Sequence, residues 1–219
     1  MDTRSEQSPS RQTRPGMVPA ARGNPVGYLA PSDLFNLEQY ARTRGDFRAR
    51  VLAHKQARSV AVGPHTTWIF EDRLTVQYQI QEMLRAERIF EAEGIQDELD
   101  AYNPLVPDGH NFKATMMIEY VDEAERRAAL AKLKGIEQRT WVRVEGCPPV
   151  YAIADEDLDR ETEDKTSSVH FLRFELTAEM VRALKYGVTL AIGVDHAHYR
   201  AEIDPLPPAI RASLVNDLA

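Results

Sequence analysis

Residues 168–198, SVHFLRFELTAEMVRALKYGVTLAIGVDHAH, place a strand pattern, a helix pattern and a second strand pattern in succession. Over 168–176 large apolar residues alternate with other types, so His170, Leu172, Phe174 and Leu176 share one side of an extended chain. Residues 177–186 have helical spacing, and 188–194 form a short apolar run bounded by Gly187 and Asp195. Two topologies follow. If the strands are antiparallel neighbours, His170 and His196 lie at the same end of the sheet; if they are parallel and joined by a crossover helix, the two lie at opposite ends.

Upstream, Ser32 is an N-cap candidate ahead of Leu34, Phe35 and Leu37, Gly45 marks a break, and a second helical stretch runs from Phe47 to His54. Val60, Val62, Trp68 and Phe70 flank Gly63-Pro64 as a hairpin. From Asp72 the residues Val76, Ile80, Met83, Leu84 and Phe90 predict a long helix that Gly94 terminates. A short helix at 96–102, an irregular loop at 103–111, a strand at 113–120 and a charged helix at 122–134 follow. Residues 139–145 and 150–153 predict a hairpin turning at Gly146-Cys147-Pro148-Pro149, and the prolines at 205, 207 and 208 introduce a C-terminal helix at 209–218. The pattern predicts an α+β fold, a largely antiparallel sheet with helices packed on one face, in a single domain spanning 28–219. Residues 1–27, rich in Pro, Ser, Gln and Gly and poor in large apolar side chains, read as a disordered tail.

The chain has 219 residues, a net charge of -7 and a single cysteine, Cys147. An acidic surface disfavours nucleic acid and anionic lipid as partners, because both demand cationic patches. One cysteine excludes an intramolecular disulfide or a cysteine-ligated cluster built from this chain alone, and fits a cytoplasmic address. No stretch reaches the ~20 apolar residues of a membrane span. The acidic run from Asp155 to Asp164 resembles a calcium loop but has Arg160 where the turn needs glycine and Thr166 where a bidentate Glu belongs, so it reads as a solvated face or a docking surface for a basic partner.

Candidate ligands come from three places. Glu87 lies four residues after Met83 and three before Phe90, which puts a carboxylate on the apolar stripe of the predicted helix, and Glu91 follows one turn later. A carboxylate there must be paired, protonated or bound to a cation; helix-edge ion pairs with arginine are the alternative. His170 faces inward with three large apolar residues, as a hydrogen-bonded core histidine or as a ligand. His196 and His198 stand at i, i+2, a spacing that projects both rings to one side of an extended chain. Together His170, His196, His198, Glu87 and Glu91 suit mononuclear iron, manganese or zinc. Walker, dinucleotide-binding, Gly-x-Ser-x-Gly and helical Glu-x-x-His signatures do not occur in the sequence.

Four segments, FEDRLTVQYQIQEMLRAERIF (70–90), LDAYNPLVPDG (99–109), KTSSVHFLRFEL (165–176) and GVDH (193–196), resemble a bacterial family catalogued as domain of unknown function 3501. The likeness runs from about Tyr28 to Tyr199 and leaves the tail and the C-terminal helix outside it. It brings no activity. It implies a setting beside rubrerythrin-like proteins and iron-sulfur oxidoreductases, and so a redox or peroxide-defence role by association. The leading expectation is an accessory binding protein of such a system in the cytoplasm. The alternative is a mononuclear metal-dependent enzyme using the strand-end histidines and a helix carboxylate, and a third is a small-molecule sensor with the 103–111 loop as its lid.

Overall fold

The computed structural model describes residues 27–154, 156 and 164–219. The tail expected at 1–27 therefore lies outside the described residues up to residue 26, as does most of the acidic run.

A short 3-10 turn at Pro31–Asp33 leads to α1 (Leu37–Gln56), whose N-cap Asn36 accepts a hydrogen bond from the Gln39 backbone N–H. The break expected at Gly45 does not occur, and one 20-residue helix runs through it. A glycine inside a helix costs about 1 kcal/mol relative to alanine. Burying Tyr40, Phe47 and Val51 on either side contributes roughly 2 kcal/mol each and outweighs it. The hairpin of β1 (Ser59–Ala61) and β2 (Thr66–Glu71) forms as expected.

The next helix, α2 (Arg73–Glu87), is capped by Asp72, which accepts from the N–H groups of Leu74 and Thr75. It buries Val76, Ile80 and Leu84 but stops before Phe90, because Arg88 takes the left-handed conformation at φ 56°. Gly94 does not terminate it. It lies in the first turn of α3 (Ala92–Tyr102), where an added Cβ would come 2.7 Å from Ile89 Cγ2, so it permits the tight α2–α3 corner. Then come β3 (Asn111–Ile118), α4 (Glu123–Lys132), a 3-10 turn at Glu137–Arg139, β4 (Thr140–Val144), β5 (Val150–Tyr151), β6 (Ile153–Ala154) and β7 (Val169–Glu175). The chain closes with α5 (Ala178–Lys185), β8 (Leu190–His196), β9 (Tyr199–Ile203) and α6 (Pro208–Val215).

Among the described residues every strand pairing is antiparallel, in agreement with the α+β reading, but the strands form two sheets, ordered β1-β2-β3-β7-β6 and β5-β4-β8-β9. Both topologies read from 168–198 assumed one sheet, whereas β7 belongs to the first and β8 to the second, with α5 carrying the chain between them. The sheets are also joined at Val150–Ala154. Val150 and Tyr151 pair with Val142 and Trp141, and three residues later Ala154 pairs with Leu172 of the other sheet.

One apolar cluster draws on both sheets. Trp68, Phe70, Phe112, Met116 and Phe174 come from the first, Val142, Leu190, Ile192 and Val194 from the second, and α4, α5 and α6 add Leu130, Leu184 and Leu214. Trp68 stacks on Phe174 with ring centroids 5.8 Å apart. Helices α1–α3 close two smaller clusters, one around Ile80 and Leu99 and one around Tyr40 and Phe47. In the second sheet the Trp141 ring lies over Gly193, where a Cβ would come within 2.4 Å of the ring and 2.8 Å of the Ala201 carbonyl oxygen.

Two glycine substitutions separate these effects. G45A, at a position with nothing within 4 Å, is expected to raise unfolding free energy by about 1 kcal/mol. G193A is expected to lower it by about 1–3 kcal/mol through overpacking. Urea unfolding midpoints of the two variants measure both.

Candidate functional site

The structure does not gather the five residues picked from the sequence. Glu87 is exposed at the last turn of α2, and Glu91 is exposed at the N-cap of α3. The stripe inferred for Glu87 ends with the helix, since Phe90 beyond it is itself 69% exposed. Among the described residues no three His, Cys, Asp or Glu side chains come together as a metal site.

The histidines instead hold the chain to itself. His170 on β7 is fully buried; its Nε2 lies 3.0 Å from the Ser167 carbonyl oxygen and 3.1 Å from Thr166 Oγ1, and its Nδ1 lies 3.9 Å from Glu137 Oε2. His196 at the end of β8 accepts the His198 backbone N–H at Nδ1, 3.2 Å, which assigns the proton to Nε2, and Nε2 donates to the Lys134 carbonyl oxygen at 3.0 Å. Both of its ring nitrogens are engaged with the backbone. His198 is exposed in the two-residue turn between β8 and β9, so it does not continue the strand that the i, i+2 argument required. His196 thus bonds the connector 133–139 at Lys134, and His170, from the other sheet, lies near its Glu137.

The family-like segments carry polar tethers of the same sort. Gln81 on α2 is fully buried and pairs with both backbone groups of Phe35, accepting its N–H at 2.5 Å and donating to its carbonyl oxygen at 3.2 Å. Glu82 receives both Arg44 nitrogens at 2.8 Å and the Tyr40 hydroxyl at 2.6 Å; chiefly the Arg44 hydrogen bonds hold its carboxyl down at about 2. Asn103 pairs in the same two-sided way with Leu29, at 2.8 and 2.9 Å. The Gly109 carbonyl oxygen accepts the Ala219 N–H at 2.9 Å. The 103–111 loop is therefore fastened at both ends rather than poised as a lid. Neither of two surface cavities, of about 450 and 670 Å3, is lined by it.

Two ionic constellations stand out that the sequence reading missed. The first surrounds Arg58, which is 1% exposed. It donates to the carbonyl oxygens of Phe70 and Glu71 and meets both oxygens of Asp217, at 2.5 and 3.2 Å. Asp72 lies 3.5 Å from it and is itself 2.5 Å from His54 Nε2. This cluster bolts the C-terminal end of the chain to β2 and α2. Burial outweighs the attraction of Arg58 and pushes the Asp217 carboxyl up to about 6.

The second lies on the face of the first sheet that points away from the shared core. Glu71 on β2, Lys113 on β3, Arg173 on β7 and Ile153 on β6 stand side by side in register, with Asn111 and Glu175 forming the next row. Arg173 is engaged bidentately by Glu156, at 2.6 and 2.7 Å, and also meets Glu175. The hydrogen bonds from Arg173 hold the Glu156 carboxyl below its usual range. The signal was present in the sequence as charged residues at the off-core parity of apolar strands, Lys113 between Phe112 and Ala114, and Arg173 between Leu172 and Phe174.

The family model described as protein of unknown function (DUF3501) matches residues 28–218. The chain belongs to this family. The match takes in the C-terminal helix, which the resemblance read from the sequence had left outside. Among solved structures, the crystal structure of a novel protein of unknown function from Burkholderia pseudomallei K96243 is 55% identical, with a TM-score of 0.83 over 87% of this chain and 99% of that one. No curated protein matches the chain significantly. No helix among the described residues is long and apolar enough to cross a membrane.

Two outcomes check these roles. Because Asp217 is raised when folded, the native state takes up the proton first. Its contribution is complete below about pH 4 and is lost as pH rises through about 6. Relative to D217N, the native protein is expected to lose on the order of 3 kcal/mol between pH 4 and 7 in pH-dependent urea unfolding. H196A strips partners from the Lys134 carbonyl and the His198 N–H, and is expected to cost about 1–3 kcal/mol in the same assay.

Proposed function

We propose that this family member is an accessory binding protein of a cytoplasmic redox or peroxide-defence system, working with a rubrerythrin-like or iron-sulfur oxidoreductase partner. The observation that carries the reading is the disposition of polar chemistry. The His196 ring is engaged by the Lys134 carbonyl and the His198 N–H, and His170 is bonded to Ser167 and Thr166, while the charged row around Lys113 and Arg173 is half-exposed on a sheet face. A partner surface needs accessible charge and half-buried apolar groups together, and this face supplies both, with Ile153 43% exposed beside Arg173. The redox setting rests on the family resemblance and not on the geometry. Among the described residues no cluster of ligands favours the mononuclear iron, manganese or zinc enzyme.

The test mixes the purified chain with the rubrerythrin-like and iron-sulfur oxidoreductase proteins of its own genome and measures association by sedimentation velocity. A complex that R173E weakens at least about tenfold is expected. No association with either protein at tens of micromolar overturns the reading. Near-stoichiometric iron, manganese or zinc in protein purified without chelator would return the metal-enzyme reading to first place.

A further inference from the structure

The turn that joins β1 to β2 is pinned by a residue of the second sheet. Gly63, at φ 78°, lies against Tyr199, where an added Cβ would come within 2.6 Å of the hydroxyl. That hydroxyl donates to the Val62 carbonyl oxygen at 2.7 Å and accepts the His65 N–H at 3.0 Å. The His65 carbonyl oxygen accepts the Glu119 N–H at 2.8 Å, and His65 Nδ1 donates to the Glu119 carbonyl oxygen at 3.2 Å. These bonds lay the His65 ring flat on Tyr120, with centroids 4.0 Å apart and planes 15° from parallel, and Tyr120 packs against the shared core. The ring pair is therefore fixed by the fold itself, so a ligand that uses it meets little ordering cost.

Both rings line the cavity of about 670 Å3, at the opposite end of β2 and β3 from Glu71 and Lys113. Its apolar edge is completed by Val121, which is fully exposed. Its charged lining, unlike Gln81, Glu82 and Arg58 elsewhere, is hardly used by the fold. Among the described residues Arg126 reaches only the Tyr120 carbonyl oxygen, at 3.5 Å, which is too long for a strong bond. Glu119 gives one carboxylate oxygen to the Thr67 hydroxyl at 2.6 Å and keeps the other, and Glu125 is an exposed member of the same lining. One cavity thus offers a planar aromatic surface, a guanidinium and two carboxylates. A purely anionic ligand would meet two carboxylates and a purely cationic one the guanidinium, whereas a zwitterion satisfies both signs.

We propose that this cavity is a binding site for a free aromatic amino acid. The ligand ring lies on the His65 and Tyr120 pair, its carboxylate takes the Arg126 guanidinium, and its ammonium group donates to Glu119 and Glu125. The site is distinct from the charged row around Lys113 and Arg173 and stands or falls separately from the partner-binding reading.

The test is isothermal titration calorimetry of the full chain at neutral pH with L-phenylalanine, 3-phenylpropionate, which lacks the ammonium group, and 2-phenylethylamine, which lacks the carboxylate. L-Phenylalanine is expected to bind with a dissociation constant of about 1 mM or tighter. Each of the other two is expected to bind at least about tenfold more weakly. R126A, checked for native circular dichroism, is expected to weaken L-phenylalanine to the level of 2-phenylethylamine and to leave 2-phenylethylamine no weaker than before. Absence of saturable L-phenylalanine binding up to roughly 10 mM overturns the proposal. Equal affinity for 3-phenylpropionate or 2-phenylethylamine overturns the selection for a zwitterion, and binding that R126A leaves unchanged overturns the assignment to this cavity.

Discussion

The rest of the architecture depends on five residues, Val150 to Ala154, that belong to both sheets. Val150 and Tyr151 complete one edge of the second sheet, and Ile153 and Ala154 complete one edge of the first. At Ala152, whose N–H donates to the Thr140 carbonyl oxygen at 3.0 Å, the chain passes between them without a gap in backbone pairing. A strand shared in this way couples the two registers, because a slip of one residue would turn the core face of either sheet toward solvent. It brings the inner faces into one core, and the short helix at 137–139 lies against β6 of one sheet and β8 of the other.

Polar side chains then fix what apolar burial leaves adjustable. Gln81, Glu82 and Asn103 attach the segment from Leu29 to Arg44, Arg58 attaches the C-terminal end, His196 attaches the 133–139 connector, and His170 ties its own strand to Thr166 and Ser167. Buried amides and guanidinium groups of this kind demand their partners, since each unpaired polar atom costs about 1–3 kcal/mol. The four family-like segments contain many of these residues, so much of their chemistry is explained by fastening. What fastening does not absorb is the outer row of the first sheet, where Lys113 stands in register between Glu71 and Arg173.

The legible and illegible parts divide by range. Alternation along 168–176 and the amphipathic spacing of α5 are local properties, and both elements lie where the pattern places them. The passage of β7 and β8 into different sheets depends on pairing with residues far away in sequence, and periodicity carries no information on that. Glu87 misled because a non-glycine residue, Arg88, takes the left-handed conformation that ends α2, with no glycine to announce it. The His196-x-His198 spacing misled because the second histidine lies in a turn rather than in the strand. Lys113 was passed over because a single lysine in an apolar strand reads as its solvent side, and only the cross-strand register sets it between Glu71 and Arg173.

The central claim is that the His196 ring holds the connector between the sheets. A long-range proton–nitrogen correlation spectrum of the native protein, recorded with and without added zinc, tests it most directly by reading the His196 tautomer. The account expects an Nε2–H ring with Nδ1 as acceptor, unchanged by zinc. A ring protonated at Nδ1 instead, or nitrogen shifts that move stoichiometrically with zinc, would contradict it.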